Sequence, residues 1–261
     1  AFPSRRLFQT ELSYHVDSGI AKPQDLAGKR LGVAEYQQTA ALWLRGILEH
    51  DFGVSQYQIH WYMERSEEMS HGGATGFKPP PGISFNRIAG NKSLASTILA
   101  NELDVAHVSS PWVLQANALD RSSRSAGKGD WSNIKPLFPD RMAEGARFYR
   151  QHGFLPVNHA YIIRGDIHRK YPWLAGKLYD GFVRAKALAQ EKLAAQIPTA
   201  LIFGQEYLAT TRELIGDDPF PFGINANRAM LDTITSYSHE QGLTPRQMKV
   251  EELFAESLLD T

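Results

Sequence analysis

Residues 26–45 read LAGKRLGVAEYQQTAALWLR, and this stretch decides the fold class. A basic approach, Gly28, Lys29 and Arg30, leads into the apolar run Leu31, Gly32, Val33 and Ala34. A polar corner follows, Glu35, Tyr36, Gln37 and Gln38, and a helical pattern opens at Thr39. A buried strand that ends in a polar corner and feeds a helix is the building block of a parallel α/β sheet. Ligands of such sheets sit beyond the carboxyl ends of the strands, near the first turn of the next helix. The unpaired N–H groups of that turn favour an anion. An ordinary capped helix without a ligand has the same spacing, so both readings stand at this point.

Working outward, Ala40, Leu44, Ile47 and Leu48 share one helical face over residues 39–50, with Trp43 and Arg45 near its flanks. Gly53 stops that helix, and residues 59–62 read as the next strand. Upstream, residues 7–16 alternate loosely and suit a strand, and residues 22–26 suit a short helical turn. Residues 64–82 are charged, then glycine-rich, then proline-rich, which makes a surface loop before strand-like sequence resumes at Ile83. Ser93 is a good N-cap for a helix through Leu94, Ile98 and Leu99. Residues 105–108 form a short buried strand that ends at Ser109, Ser110 and Pro111. A polar loop over 120–133, a helix over 140–151 and a strand over 160–163 come next, the last preceded by Pro156, Val157, Asn158 and His159. Beyond Asp166 the pattern is mainly helical, at about 172–194, 204–215, 225–240 and 249–259.

The 261 residues suffice for one large domain or two lobes. Lys and Arg number 28 and so do Asp and Glu, so no bulk positive field awaits nucleic acid or an anionic membrane. The absence of cysteine rules out disulfides, thiolate catalysis and cysteine-ligated metals, but leaves the compartment open. No run of about 18 apolar residues exists to form a membrane span. HExxH, Walker A, GxGxxG and GxSxG motifs are all missing, so no metal, nucleotide, hydride or serine-hydrolase chemistry is indicated, and no cofactor is expected. His71, in its glycine loop, and His107, in a buried strand, read as unrelated. The opening AFPSRRLFQT reads as though the chain starts inside a domain.

Five blocks in order carry a family resemblance: GKRLGVAEYQQTAALWLRGIL from Gly28, GNKSLASTILANELDV from Gly90, NHAYIIRGDIHRKYPWLAGKLYDGF from Asn158, GDDPFPFGINANRAMLDT from Gly216 and YSHEQGLTPRQMKVEELF from Tyr237. Together they resemble the 4,5-dihydroxyphthalate decarboxylase family, itself similar in fold to type II periplasmic solute-binding proteins of ABC transporters. The resemblance implies an α/β chain of two lobes with mixed sheets flanked by helices and a ligand cleft. One lobe is then expected at residues 1–18 with 136–261, and the other at 19–135. It also implies a β-α-β stretch upstream of FPSR that this chain lacks. The implied activity is decarboxylation of a dihydroxyphthalate-like diacid by a cytoplasmic enzyme without a cofactor, possible as a homo-oligomer. The alternative is a periplasmic binding protein that delivers a small carboxylate to a transporter permease.

Such a reaction requires a proton for the ring carbon that loses its carboxylate, fixed donors for the carboxylates, and a base near a phenol. A positioned general acid is worth about 10² to 10⁴ in rate. Enzymes supply about 8 kcal/mol or more, so preorganised electrostatics must add the rest. His159 is the expected acid, matching the family block; its other reading is a strand-end histidine satisfied by backbone. Glu35 is the expected base or hydroxyl anchor, its other reading being a carboxylate near the start of the Thr39 helix. Tyr36, Gln37 and Thr39 stand where a carboxylate would meet that helix. Arg5, with Arg6 as alternative, is the expected bidentate carboxylate clamp. Lys92 and Ser93 offer a second helix-start anion site, and Ser109 (or Ser110) a hydroxyl at a strand end. Residues 218–223 either lay an aromatic edge near the cleft or pack stiffly between helices.

Overall fold

A computed structural model of the chain describes residues 1–70, 76–107, 130–195, 197 and 201–261. Among them the strands are β1 (Ser4–Arg5), β2 (Leu12–His15), β3 (Arg30–Val33), β4 (His60–Met63), β5 (Ser84–Arg87), β6 (Val105–His107), β7 (Ile134–Pro136) and β8 (Val157–His159). The helices are α1 (Thr39–Phe52), α2 (Leu94–Leu99), α3 (Arg141–His152), α4 (Gly165–Lys170), α5 (Leu174–Ala195), α6 (Gly204–Ile215), α7 (Arg228–Glu240) and α8 (Val250–Leu253). The chain divides into two compact units. A sheet unit comprises Leu7–Gly145 and Tyr237–Arg246, and a helical unit comprises Ala1–Arg6, Ala146–Ser236 and Gln247–Thr261.

The sheet unit is built on six strands in the order β5-β4-β3-β6-β2-β7. β5, β4, β3 and β6 run parallel, while β2 lies antiparallel between β6 and β7. Helices flank this mixed sheet. Its middle strands are buried on both faces, as parallel strands are. Leu31, Val33, Trp61 and Met63 pack with Leu44 and Leu48 of α1, and Ala106 packs with Leu94, Ile98 and Leu103 around α2. Gly32 makes the second contact possible: a Cβ there would stand 2.5 Å from side-chain carbons of both Leu94 and Leu103. Arg30 and Asp104 pin the opposite end of β3 and β6, through the Arg30 N–H at 2.7 Å, its Nε at 3.0 Å and its Nη2 at 2.7 Å.

α1 is enclosed all round. Residues 41–48 are buried without a break, Trp43 and Arg45 included. One side meets the sheet; the other meets the Tyr237–Arg246 segment, where the Tyr237 ring occupies the space that a side chain at Gly46 would need. Trp43 meets that ring edge-on, and His50 stacks on it at 4.8 Å. The helix ends at Gly53 in the left-handed conformation (φ 70°), its N–H returning to the Glu49 and Leu48 carbonyls. Thus an amphipathic stripe was expected, and the packing uses the whole circumference.

The helical unit holds the antiparallel pair β1–β8, with Ser4 opposite His159, and the helices that follow it. Phe148, His152 and Phe154 form one aromatic group there, and Tyr161 stacks on Phe182 at 4.1 Å. Residues 218–223 pack against α5: Lys186 donates to Asp218 and to the Phe220 carbonyl, and its ammonium sits 4.6 Å from the Phe222 ring centre. A cavity of about 530 Å³ in this unit is walled by Phe2, Tyr161, Phe182, Leu208 and Phe220.

Several boundaries differ from the sequence reading. Residues 7–16 are not one strand: Phe8–Glu11 forms a 3-10 turn, and β2 begins only at Leu12. The later strand is Val157–His159 and not residues 160–163, because Val157 supplies the buried contact while Ile162 is 93% exposed. The compact units also divide at other points than residues 18 and 136. β2 is hydrogen-bonded between β6 and β7, which keeps it with the sheet, and Gln241 bonds to α1, which brings Tyr237–Arg246 with it. Ser109, Ser110, His71 and residues 120–129 lie outside the described residues.

Candidate functional site

The order of the parallel strands marks out a candidate site. From β3 the chain steps to β4 and then β5 on one side, and β6 is laid on the other side of β3. The carboxyl ends of β3 and β6 therefore border a topological switch point, where open α/β sheets bind ligands. The polar corner 35–38 hangs from the first of these ends, and His107 closes the second.

Glu35 is 1% exposed. Its Oε2 accepts from Arg65 Nη1, and its Oε1 accepts from Gln37 Nε2 and the Ser70 hydroxyl. Arg65 and Ser70 come from the segment that leaves the end of β4, so adjacent strand ends build the cage. An ionised carboxylate in this setting is matched by a cation and neutral donors, which such burial demands. Gln37 Oε1 is enclosed and has no donor among the described residues. A ligand hydroxyl arriving at this corner would supply one.

Tyr36 points inward. Its O–H donates to Gln56 Oε1 at 2.7 Å, its ring meets Trp61 and Phe85 edge-on, and Phe77 stacks on it. Burial raises its phenol above the ordinary tyrosine range, with Arg45 acting the other way. Gln38 occupies the N-cap of α1 without a side-chain cap, and Thr39 is the first helical residue.

The start of α2 is filled by the chain itself. Ser93 Oγ accepts from the Ser96 N–H at 3.1 Å, and Glu64 Oε1 accepts from the Leu94 N–H at 2.9 Å. Lys92 donates to both Glu102 oxygens, at 2.7 and 2.5 Å. Beside the switch point, His107 Nε2 lies 3.1 Å from the Phe8 carbonyl and 3.4 Å from Glu11 Oε2, all of them buried.

In the helical unit, His159 Nδ1 sits 2.7 Å from Ser4 Oγ across the β1–β8 register, on an exposed imidazole. Arg5 donates to the Leu155 carbonyl at 2.9 Å, to the Pro221 carbonyl at 2.8 Å and to Asn227 Oδ1. Burial lowers this guanidinium to about 10, against the pull of Asp218 and Tyr149.

No family model matches the chain. Over 262 aligned residues, 100% of the chain, it is 29% identical to a protein of Comamonas testosteroni named 4,5-dihydroxyphthalate decarboxylase, of which it spans 76%. A stretch of 103 residues is 34% identical to a Pseudomonas putida protein of the same name, covering 40% of each. The chain is thus similar, over its whole length in the first case, to proteins named 4,5-dihydroxyphthalate decarboxylase.

The expected site residues fall at three places. Glu35, Tyr36, Gln37 and Thr39 share one corner of the sheet unit, and Lys92 and Ser93 share the start of α2. Arg5 and His159 belong to β1 and β8 of the helical unit. Sequence reading missed Arg65, Ser70, Glu64 and Arg45, and set His107 aside. Arg65 and Ser70 belong to a charged loop whose course no periodicity reveals. The end-of-strand position of His107 was legible, but not that β6 lies beside β3. Among the described residues, no group of three or more His, Asp or Glu could hold a metal ion, and no helix is long and apolar enough to cross a membrane.

Proposed function

We propose that the chain is a decarboxylase of a dihydroxyphthalate-like aromatic dicarboxylate, working without a cofactor in a two-lobed fold of the type II binding-protein kind. The reaction would turn 4,5-dihydroxyphthalate into protocatechuate and CO2. The observation that carries this reading is the corner at the switch point. It offers a caged carboxylate and an enclosed amide oxygen, two acceptors suited to phenolic hydroxyls, in a chain similar throughout its length to a protein of that name.

In this reading Glu35 anchors a phenol as acceptor and draws its proton, which pushes electron density into the ring. Gln37 and Thr39 position the ligand against the first turn of α1. His159 delivers a proton to the ring carbon that bears the leaving carboxylate, its Nδ1 oriented by Ser4. The C–C bond then breaks, its electron pair restores the aromatic ring, and CO2 departs. One proton is consumed for each CO2 released.

The test is incubation of the full chain with 4,5-dihydroxyphthalate while CO2 and protocatechuate are followed. His159→Ala is expected to abolish turnover and leave binding of the diacid within a few-fold of wild type. Tight binding by the wild-type chain with no release of CO2 would overturn the enzymatic reading.

A further inference from the structure

Arg45 lies at the centre of α1, fully buried, and the mechanism above makes no use of it. Its Nη1 donates to the Tyr36 carbonyl at 2.7 Å, and its Nε donates to Gln241 Oε1 at 2.8 Å. Gln241 in turn donates to the Leu42 carbonyl at 2.9 Å. The guanidinium carbon stands 3.8 Å from the centre of the Tyr36 ring and 5.6 Å from that of Trp61. Nη2 is enclosed with no partner among the described residues. Burial lowers the guanidinium to about 10, and the group that opposes this is the Tyr36 phenol.

A cation buried in this way is an expensive means of filling space. A whole buried charged network can commonly be replaced by well-packed apolar side chains at no loss of stability, although removing one member alone strands its partners. What a methionine or leucine could not do is grip a backbone carbonyl from a fixed fork while laying a positive face on an aromatic ring. The carbonyl gripped here belongs to the residue between Glu35 and Gln37. That carbonyl lies in the Tyr36–Gln37 peptide plane, and the guanidinium also covers the Tyr36 ring, so the residue joining Glu35 to Gln37 is held through both its backbone and its side chain.

The geometry points to Arg45 as a positioning residue: clamped between Gln241 and the Tyr36 carbonyl, it holds the 35–37 corner in the shape that presents Glu35 and Gln37 to a ligand and keeps one positive charge behind it. This rests on the reading of that corner as the ligand site. Gln241, nearly two hundred residues away in the chain, thereby becomes part of the support for the site.

The test uses the full chain with Arg45→Met, Arg45→Lys and Gln241→Leu, and four readouts: the melting temperature, kcat and KM for 4,5-dihydroxyphthalate, Kd for phthalate as an unreactive dianion, and amide exchange at residues 36–38. Arg45→Met is expected to melt below wild type while remaining folded at the assay temperature, because the Tyr36 carbonyl and Gln241 Oε1 lose their donor. It should also lose at least 30-fold in kcat, weaken phthalate at least 10-fold and speed exchange at 36–38 at least 10-fold. Arg45→Lys should rescue little, because an ammonium cannot reproduce the fork, and Gln241→Leu should show the same changes in smaller degree. Folded Arg45→Met with kcat, phthalate Kd and exchange all within threefold of wild type would overturn the proposal. If Arg45→Met does not fold, Gln241→Leu decides by the same threefold criterion. Absence of turnover in the wild type would defeat the decarboxylase reading alone, since amide exchange at 36–38 still decides the role of Arg45.

Discussion

In the proposed reading, Glu35 acquires its role from its neighbours. Alone it is a carboxylate after a strand; with Arg65, Gln37 and Ser70 around it, it is an acceptor fixed in place before any ligand arrives. Such preorganisation is what makes a polar group effective in a water-poor site. Glu35→Gln keeps the shape and removes the charge. In steady-state assays of 4,5-dihydroxyphthalate turnover, kcat/KM is expected to fall by about 10² to 10⁴, the span of general acid–base catalysis. The Arg65–Glu35 ion pair is broken in the same variant, and breaking a buried pair costs up to about 3–5 kcal/mol. The assay therefore belongs well below the melting temperature, with the folded fraction measured by circular dichroism. Near-wild-type kcat/KM in the folded variant would remove Glu35 from the chemistry.

At the scale of the elements, the pairing of β3 with β6 matters most, because it creates the switch point. Asp104 enforces that pairing from the far end, accepting from the Arg30 backbone and side chain. Burial alone would raise the Asp104 carboxyl, but the Arg30 hydrogen bonds outweigh it and hold the group below its ordinary value of 3.8. A carboxyl lowered in the folded state binds fewer protons there than in the unfolded chain. Its stabilisation is therefore complete above the ordinary aspartate value and is lost as pH falls through the folded one. Asp104→Asn should cost about 1–2 kcal/mol at pH 7, a figure reduced because Arg30 is partly exposed. Urea titrations at pH 7 and at successively lower pH should show this difference and then its loss as the pH falls through the folded-state value; a gap that never narrows would rule out the charge. The elements themselves were largely legible. Gly53 and Ser93 marked a helix end and a helix start, and the Leu31 run marked a strand, since these signals are local. Arg45 was illegible for the opposite reason: its enclosure depends on Tyr237 and Gln241 packing against α1 from far along the chain.

For the molecule as a whole, the sequence pattern conveyed an α/β chain, and its long blocks conveyed a family resemblance, because both are written in consecutive residues. The partition into units was harder to read. It turns on β2 joining the sheet between β6 and β7, a matter of register between segments some ninety to a hundred and twenty residues apart. The same holds for the site. Corner 35–37 was visible as a polar break after a strand, whereas Arg65 and Ser70 reach it only through the course of the chain beyond β4. The proposed two-lobed reading makes a demand on both units that amide exchange can check. A diacid bound at 100 times its Kd adds about 2.7 kcal/mol of stability to whatever binds it. With 4,5-dihydroxyphthalate at that level, slowed exchange is expected at residues 35–38 and 64–70 of the sheet unit, and also at residues 157–159 of the helical unit. Protection confined to the sheet unit would place the ligand on one unit alone and take His159 out of the reaction. The proton donor would then have to be sought at the switch point itself, where His107 stands beside Glu11.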